Sequence, residues 1–252
     1  MSLESGEAHI WYAWTAACDT LALRDYYFSL LTDEERARHE AFAFDSLKLE
    51  YLVTRALCRT VLSAYAGVPP TSWRFIANAY GRPEISEPAL PARLHFSLSN
   101  ARSLVALVVT GEGDAGIDVE DMAYRGDTLS IAHHYFSLAE LRDLHALPRK
   151  RQLLRFFELW TLKESYIKAR GMGLAIPLDQ FSFHLQTMPI RIAFDPRLAD
   201  TAADWQFQLY RPGRTHLMAV AVRHPPQAKL SVRVREVIPG PQLVWKDVVC
   251  DC

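Results

Sequence analysis

The sequence predicts an α+β fold in which two similar halves contain the same elements in the same order. Each half has a helix capping box, then a long apolar-rich helix that stops at a glycine, then two strand patterns that form a hairpin. The elements do not alternate in the regular strand–helix–strand order that is typical of a parallel sheet. We therefore expect a pseudo-twofold duplication of two α+β halves, with the functional site in the cleft at their interface.

The first half is predicted to cover residues 1–112. Its capping box is formed by Thr32 and Glu35, because a hydroxyl at the cap and a glutamate three residues later satisfy each other's backbone donors. A helix of about 46–66 follows and ends at Gly67, with two prolines beyond it. The hairpin strands that come next are 94–98 and 104–109.

The second half, residues 113–252, begins at the polar, glycine-rich hinge 111–114 and continues into a strand. Ser137 and Glu140 form its capping box, and its long helix of about 150–170 ends at Gly171. The strands that follow are 205–209, 217–222 and, after the breakpoint at Pro225-Pro226, 230–234. We expect the tail after Pro239 to pack weakly.

Composition and charge are those of an ordinary soluble globular protein. Half of the residues are hydrophobic and 23% are charged, and the formal net charge of -1 gives no global field to recruit nucleic acid or anionic lipid.

The first residues carry neither a basic segment nor an apolar run, and no stretch approaches a membrane span, so we expect a cytoplasmic protein. Cysteines at 18, 58, 250 and 252 show no zinc spacing and are expected to be reduced, the last two in a frayed tail.

Two short segments carry the chemistry. In Gly116-Ile117-Asp118-Val119-Glu120, the strand period of two directs Asp118 and Glu120 to the same face. In the second long helix, the spacing of four places Trp160, Glu164 and Lys168 on one side. Glu164 lies within an apolar row, where a carboxylate requires a cation. This set of three carboxylates and a lysine suits a divalent metal that holds phosphate.

Each signal also has a plainer structural explanation. Asp118 and Glu120 also fit an amphipathic strand whose polar face is in water. Pairs at a spacing of four, such as Glu164 with Lys168, are common on the solvated surface of a helix. The apolar residues around Glu164 argue against the second explanation. Likewise, the polar strand end at Ser99 and Asn100 is common turn chemistry.

These segments together resemble the 4'-phosphopantetheinyl transferases, specifically the two-domain, surfactin-synthetase-activating type. The resemblance runs from about residue 31 to residue 183 and includes the turn Gly81-Arg82-Pro83 and the strand His95-Phe96-Ser97-Leu98-Ser99. It implies two similar α+β halves with coenzyme A bound at their interface. It also implies that the phosphopantetheine arm of coenzyme A moves to a serine of an acyl or peptidyl carrier protein, releasing adenosine 3',5'-bisphosphate.

The resemblance further assigns roles to residues. Magnesium is the implied ion, with Asp118, Glu120 and Glu164 as its ligands. Glu164, directly or through water, would take the proton from the carrier serine, and Lys168 would stabilise charge on the leaving pyrophosphate. For coenzyme A phosphates, the corresponding residues are Arg38, Arg82, Ser99 and Asn100. Asn100 stands where the family commonly has histidine, so the site loses a positive charge there.

Two other functions stay open at this stage. A metal-dependent phosphodiesterase or pyrophosphohydrolase acting on coenzyme A would use the same carboxylates and lysine, although no additional water-activating base is evident. A non-catalytic module that binds coenzyme A or a carrier protein is expected to show damage in the four central residues, all of which are present. A monomer is the simplest expected state, because the two halves would supply both sides of the cleft.

Overall fold

The computed structural model describes residues 1–123, 126–186, 188–224 and 230–248, and it confirms the α+β class. The predictions at Pro225-Pro226 and for Cys250 and Cys252 lie outside these residues. Within them the chain forms six α-helices and twelve β-strands, which are, in order, β1 (Glu7–Trp14), α1 (Leu21–Ser29), α2 (Asp33–Glu40), α3 (Asp45–Ala66), β2 (Arg74–Ala77), β3 (Pro83–Glu87), β4 (His95–Ala101), β5 (Leu104–Thr110), β6 (Ala115–Asp121), α4 (Thr128–Tyr135), α5 (Leu138–Ala146), α6 (Arg149–Arg170), β7 (Phe181–His184), β8 (Arg191–Phe194), β9 (Trp205–Tyr210), β10 (His216–Arg223), β11 (Ser231–Ile238) and β12 (Val244–Asp247).

The chain divides into two compact units. The first contains Met1–Ala77, Pro83–Glu112 and the segment that begins at Ser231, and the second contains Asn78–Arg82 and Gly113–Leu230. The sequence predicts that all of 113–252 belongs to the second half. The structure differs because β11 pairs in parallel with β1, from Glu7 opposite Ser231 onward, and so completes the sheet of the first unit.

The first unit is built on a five-stranded sheet in the order β12-β11-β1-β5-β4, in which only β1 and β11 are parallel among the described strands. The apolar side of α3 packs on one face of this sheet, and Trp11, Leu57, Val61 and Val105 are buried between them. The tail expected to pack weakly forms β12, whose four residues are all exposed. Backbone pairing with β11, the contact of Trp245 with Trp11 and the Asp247–Arg235 ion pair hold this strand, with little side-chain burial.

The second unit contains a three-stranded antiparallel sheet in the order β6-β10-β9 and a separate β7-β8 hairpin. Helix α6 packs on the three-stranded sheet, and its buried residues Phe157 and Leu162 belong to the same core as Ala219 and Ala221 of β10. Strand β6 lies at the edge of this sheet, so it contacts one neighbouring strand and the helix.

Local signals that were predicted from the sequence are confirmed in both units. Both capping boxes are formed, at Thr32 and at Ser137. Helices α3 and α6 each contain 22 residues and end at a glycine in the left-handed conformation, with φ of 68° and 64° respectively. Glycine adopts this φ without the steric cost that a Cβ would bring. A common evolutionary origin of the two halves stays a prediction.

None of the helices in the described ranges combines the length and apolar character needed to cross a bilayer. Cys18 and Cys58 are buried free thiols, and burial raises the pKa of Cys58 to about 12.

Candidate active site

The site begins with the close approach of α6 to β6 at Gly116. A Cβ on Gly116 would lie 2.1 Å from the carbonyl oxygen of Ser165 and 2.4 Å from the amide nitrogen of Ala169. Only glycine allows the strand and helix backbones to come this close. The strand face that carries Gly116 also carries Asp118 and Glu120, so this contact brings both carboxylates against the helix.

The described contacts pair the strand carboxylates with helix residues two turns apart. The Lys168 ammonium donates a hydrogen bond to Oδ1 of Asp118 at 2.6 Å, and the indole Nε1 of Trp160 donates to Oε1 of Glu120 at 2.9 Å. Glu164 lies on α6 between these two residues, one turn before Lys168. The structure thus places Lys168 against Asp118 and Trp160 against Glu120, with Glu164 between the two on the helix, and the roles of these residues stay predictions.

Electrostatics show that the three carboxylates interact with one another. Burial and the negative charge of Asp118 raise the pKa of Glu120 to about 7, against the opposing effects of Trp160 and Lys168. Burial and the charge of Asp118 also raise the pKa of Glu164 to about 7. Three acidic groups share a partly desolvated site with one lysine, so a bound cation would stabilise their ionised forms.

The acidic groups at this site bear on whether a metal ion can bind here. Across the described part of the chain, no three His, Cys, Asp or Glu side chains are arranged as a group that could hold a metal ion. Asp118, Glu120 and Glu164 are thus not assembled as a three-carboxylate ligand set. Their chemistry nevertheless fits Mg²⁺, because this ion prefers oxygen and is usually held by one or two carboxylates together with substrate phosphates and water. The individual ligands stay predictions.

Arg82, expected at a coenzyme A phosphate, contacts the carboxy-terminal end of α6. Its guanidinium Nη1 donates to the carbonyl oxygen of Ala169 at 2.9 Å and lies 3.9 Å from Asp114. A Cβ on Gly171 would lie 2.9 Å from three guanidinium atoms, so the side chain packs directly on that glycine. A cation at this end of a helix is favourable because the last carbonyls carry partial negative charge.

The other residues expected to contact coenzyme A belong to the first unit. Arg38 is exposed in the last turn of α2, and Ser99 and Asn100 are consecutive on β4, the first buried and the second exposed. The Asn100 side chain donates to Oε1 of Glu50 at 2.6 Å. Burial raises the pKa of Glu50, opposed by this hydrogen bond. Asn100 therefore has a carboxylate beside it, which the sequence did not predict.

Comparison with known proteins shows the family. A family model described as the 4'-phosphopantetheinyl transferase superfamily matches residues 114–221, which include β6 and α6. The 4'-phosphopantetheinyl transferase Sfp of Bacillus subtilis (strain 168) is 32% identical over 200 residues, covering 79% of this chain and 85% of the relative. This chain belongs to the 4'-phosphopantetheinyl transferase superfamily.

Two further relatives support the Sfp-like type that the resemblance indicated. The 4'-phosphopantetheinyl transferase HetI of Nostoc sp. is 29% identical over 222 residues, covering 88% of this chain and 90% of the relative. The transferase psf-1 of Bacillus pumilus is 31% identical over 196 residues, covering 78% and 80% respectively. A solved chain of Thermotoga maritima holo-[acyl-carrier-protein] synthase shares 19% identity, covers 44% of this chain and 63% of its own length, and has a TM-score of 0.36, too low to support an argument.

The transferase also contains a buried ion pair that sequence reasoning missed. Lys163 is fully buried, and its ammonium contacts Oε2 of Glu140 at 2.8 Å and donates to the carbonyl oxygens of Leu178 and Phe181 at 2.7 and 2.8 Å. Burial lowers the pKa of Lys163, and Glu140 opposes that shift. A sequence signal for the burial of Lys163 exists, because the helix spacing of four places it in the same row as the apolar Leu159.

Glu140 is a structural residue in this arrangement. Besides pairing with Lys163, it accepts hydrogen bonds from the backbone amides of Ser137 and Phe183, both at 2.9 Å. The capping-box prediction explains the first contact, and the structure adds the other two. Its carboxylate is therefore already committed to the fold.

Proposed function

We propose that this transferase moves the 4'-phosphopantetheine moiety of coenzyme A to a serine hydroxyl of an acyl or peptidyl carrier protein, with Mg²⁺, and releases adenosine 3',5'-bisphosphate. Family membership supports the reaction, and the relatives are named for phosphopantetheinyl transfer. The observation that carries the proposal is the Lys168–Asp118 contact beside the carboxylates of Glu120 and Glu164. Here acidic groups and a cation meet in one small, partly desolvated volume.

The transfer requires a base for the serine proton. The serine oxygen forms a bond to the phosphorus that carries pantetheine, while the bond from that phosphorus to the bridging oxygen breaks and its electron pair leaves with adenosine 3',5'-bisphosphate. We assign the serine proton to Glu164, directly or through water. Without a metal, burial and Asp118 raise the pKa of Glu164 to about 7; a bound cation would keep this carboxylate ionised, which is the form that accepts a proton.

Lys168 is proposed to stabilise the leaving group. Its side chain is 29% exposed, whereas that of its partner Asp118 is only 6% exposed, so a buried carboxylate holds a lysine that is partly open to solvent. Negative charge develops on the bridging oxygen as the bond breaks, and a fixed cation lowers the barrier by meeting that charge. Phosphoryl transfer depends mainly on such positioning and charge stabilisation, so no nucleophile on the enzyme is needed.

Magnesium is proposed to bind Asp118, Glu120 and Glu164, and when bound it would neutralise pyrophosphate charge. We further propose that Arg38, Arg82, Ser99 and Asn100 contact coenzyme A. Calorimetric titration with Mg²⁺ alone tests the metal assignment without any turnover. Asp118→Asn is expected to weaken Mg²⁺ binding at least ~10-fold, since it removes a charged ligand of a hard cation, and unchanged binding would remove Asp118 from the ligand set.

One experiment separates transfer from the two alternatives. The full chain is incubated with coenzyme A, Mg²⁺ and an apo carrier protein, and the carrier is weighed by mass spectrometry while coenzyme A is followed by chromatography. A carrier heavier by one phosphopantetheine supports transfer. Consumption of coenzyme A with an unchanged carrier would instead support hydrolysis, and neither change would support a binding module. Carrier with the acceptor serine replaced by alanine is the control.

A further inference from the structure

The loop between β2 and β3 is closed by the side chain and the backbone of one residue, Asn78. Oδ1 of Asn78 accepts hydrogen bonds from the backbone amides of Tyr80 and Arg82, at 2.9 and 3.0 Å. The backbone of Asn78 closes the same turn, donating to the Arg82 carbonyl at 2.9 Å and accepting from the Gly81 amide at 3.0 Å. Gly81 has φ of 87°, which glycine tolerates best. The conformation of Arg82 therefore depends on Asn78.

The same side chain ties the loop to helix α6. Nδ2 of Asn78 donates to the carbonyl oxygen of Gly171 at 2.9 Å, just beyond the helix end. Both polar atoms of the amide are thus engaged. If the amide oxygen and nitrogen were exchanged, the NH₂ group would face the N–H groups of Tyr80 and Arg82, two donors. The hydrogen bonds therefore determine which of the two atoms is Oδ1. A carboxylate in this place keeps the acceptor function and loses the donor.

Two donors from this loop stabilise carbonyl groups at the end of α6. Asn78 binds the carbonyl of Gly171, and Arg82 binds that of Ala169 at 2.9 Å. The last carbonyls of a helix have no partner within the helix, and the final turn frays unless other groups satisfy them. Both carbonyls lie within three residues of Lys168, whose ammonium meets Asp118 at 2.6 Å. Fraying of this turn would move that ammonium.

We propose that Asn78 is a positioning residue for Lys168. By closing the 78–82 loop and capping α6 at once, it holds the last helical turn in place, and with it the lysine that faces Asp118. This role rests on the proposed function, in which Lys168 stabilises the leaving group. It acts through the helix backbone and is separate from the hold of Asn78 on Arg82, which is proposed to contact coenzyme A.

Asn78→Asp is the sharpest test because it changes one NH₂ group to oxygen at nearly constant shape. We expect kcat to fall at least ~10-fold with the KM for the carrier protein nearly unchanged, since displacement of a catalytic group by ~1 Å costs up to ~100-fold. The KM for coenzyme A is not the criterion, because Asn78 also holds Arg82. In a Lys168→Ala background, Asn78→Asp should alter kcat less than ~2-fold, because the effects of substituting two residues that act as a unit are not additive. Full additivity in this cycle would overturn the proposal, since a merely structural role predicts it.

Amide hydrogen exchange provides a readout that does not require turnover. In Asn78→Asp, the amides of residues 168–171 should exchange roughly fivefold faster or more, the effect of losing one capping hydrogen bond. Ala79→Ser, an exposed change in the same loop, is the matched control and should leave exchange and kcat unchanged. Unchanged exchange in Asn78→Asp would refute the cap. If wild-type protein shows no transfer, the proposed function fails while the exchange result still decides the cap.

Discussion

Replacement of Gly116 by alanine tests the contact on which the site depends. The added Cβ would lie 2.1 Å from the Ser165 carbonyl oxygen and 2.4 Å from the Ala169 nitrogen, so helix and strand must separate by roughly 1.3 Å to reach an ordinary contact of 3.4 Å. Both atoms belong to the helix backbone and cannot rotate away. Overpacking of this kind costs ~1–3 kcal/mol, and we expect the upper end.

The unfolded state offsets part of this cost. Alanine restricts the unfolded chain more than glycine does, which stabilises the folded protein by ~0.4–1 kcal/mol. The net loss of stability for Gly116→Ala should therefore be ~2 kcal/mol, measured as a shift of the urea midpoint by circular dichroism. Transfer should fall ~100-fold in the folded variant, because Lys168 and Asp118 would separate by about 1 Å.

Gly111→Ala is the matched control. The nearest atom outside its chain neighbours is Cβ of Leu3 at 3.9 Å, so the new methyl group finds room. Its urea midpoint should correspond to a stability within ~0.5 kcal/mol of wild type. If Gly116→Ala is as stable and as active as Gly111→Ala, the inferred backbone contact between β6 and α6 is incorrect.

Three further outcomes are expected. Glu164→Gln should reduce transfer at least ~100-fold, the usual contribution of a general base, with a urea midpoint at pH 7 no lower than that of wild type, because burial and Asp118 disfavour the ionised carboxylate that it removes. Wild-type turnover would remove Glu164 from its assigned role. Asn100→His should lower the dissociation constant for coenzyme A ~5-fold at pH 6, because Glu50 favours the charged imidazole and that charge strengthens a phosphate contact; an equal constant by calorimetry would show that the charge comes from elsewhere. Burial and then Arg235 lower the pKa of His9 from 6.5 to about 4, so the folded state holds this histidine neutral. The free energy of unfolding is therefore unaffected by His9 above pH 6.5 and decreases as the pH falls towards 4, by up to ~3 kcal/mol. His9→Gln should flatten the pH dependence of the urea midpoint between pH 6.5 and 4, and an unaltered slope would contradict the assignment.

Local patterns predicted the elements that carry the site. The capping boxes and glycine stops placed α3 and α6 within a residue or so of their observed bounds, because these signals act between residues three or four apart. The strand period likewise placed Asp118 and Glu120 on one face. A carboxylate in an apolar helix row marked Glu164, whose pKa burial does raise.

Other features depend on residues far apart in sequence and were not predictable from a single chain. Strand β11 joins β1 across more than 220 residues, and its alternating pattern says nothing about which strand it meets. Asn78 binds the carbonyl of Gly171, but the sequence of the 78–82 loop predicts only a turn and not its partner. The pairing of Asn100 with Glu50 joins a strand to a helix, so neither period reveals it.

The sequence by itself determined where helices and strands form, which faces of them are polar and which family the chain resembles, because these properties follow from spacing along a few turns or pleats. Tertiary structure alone decided how closely α6 approaches β6 at Gly116, which carbonyls Arg82 and Asn78 bind, and which unit receives the chain after Ser231. Such contacts depend on close packing between segments that meet only in the folded state, where a single Cβ or one amide nitrogen changes the outcome.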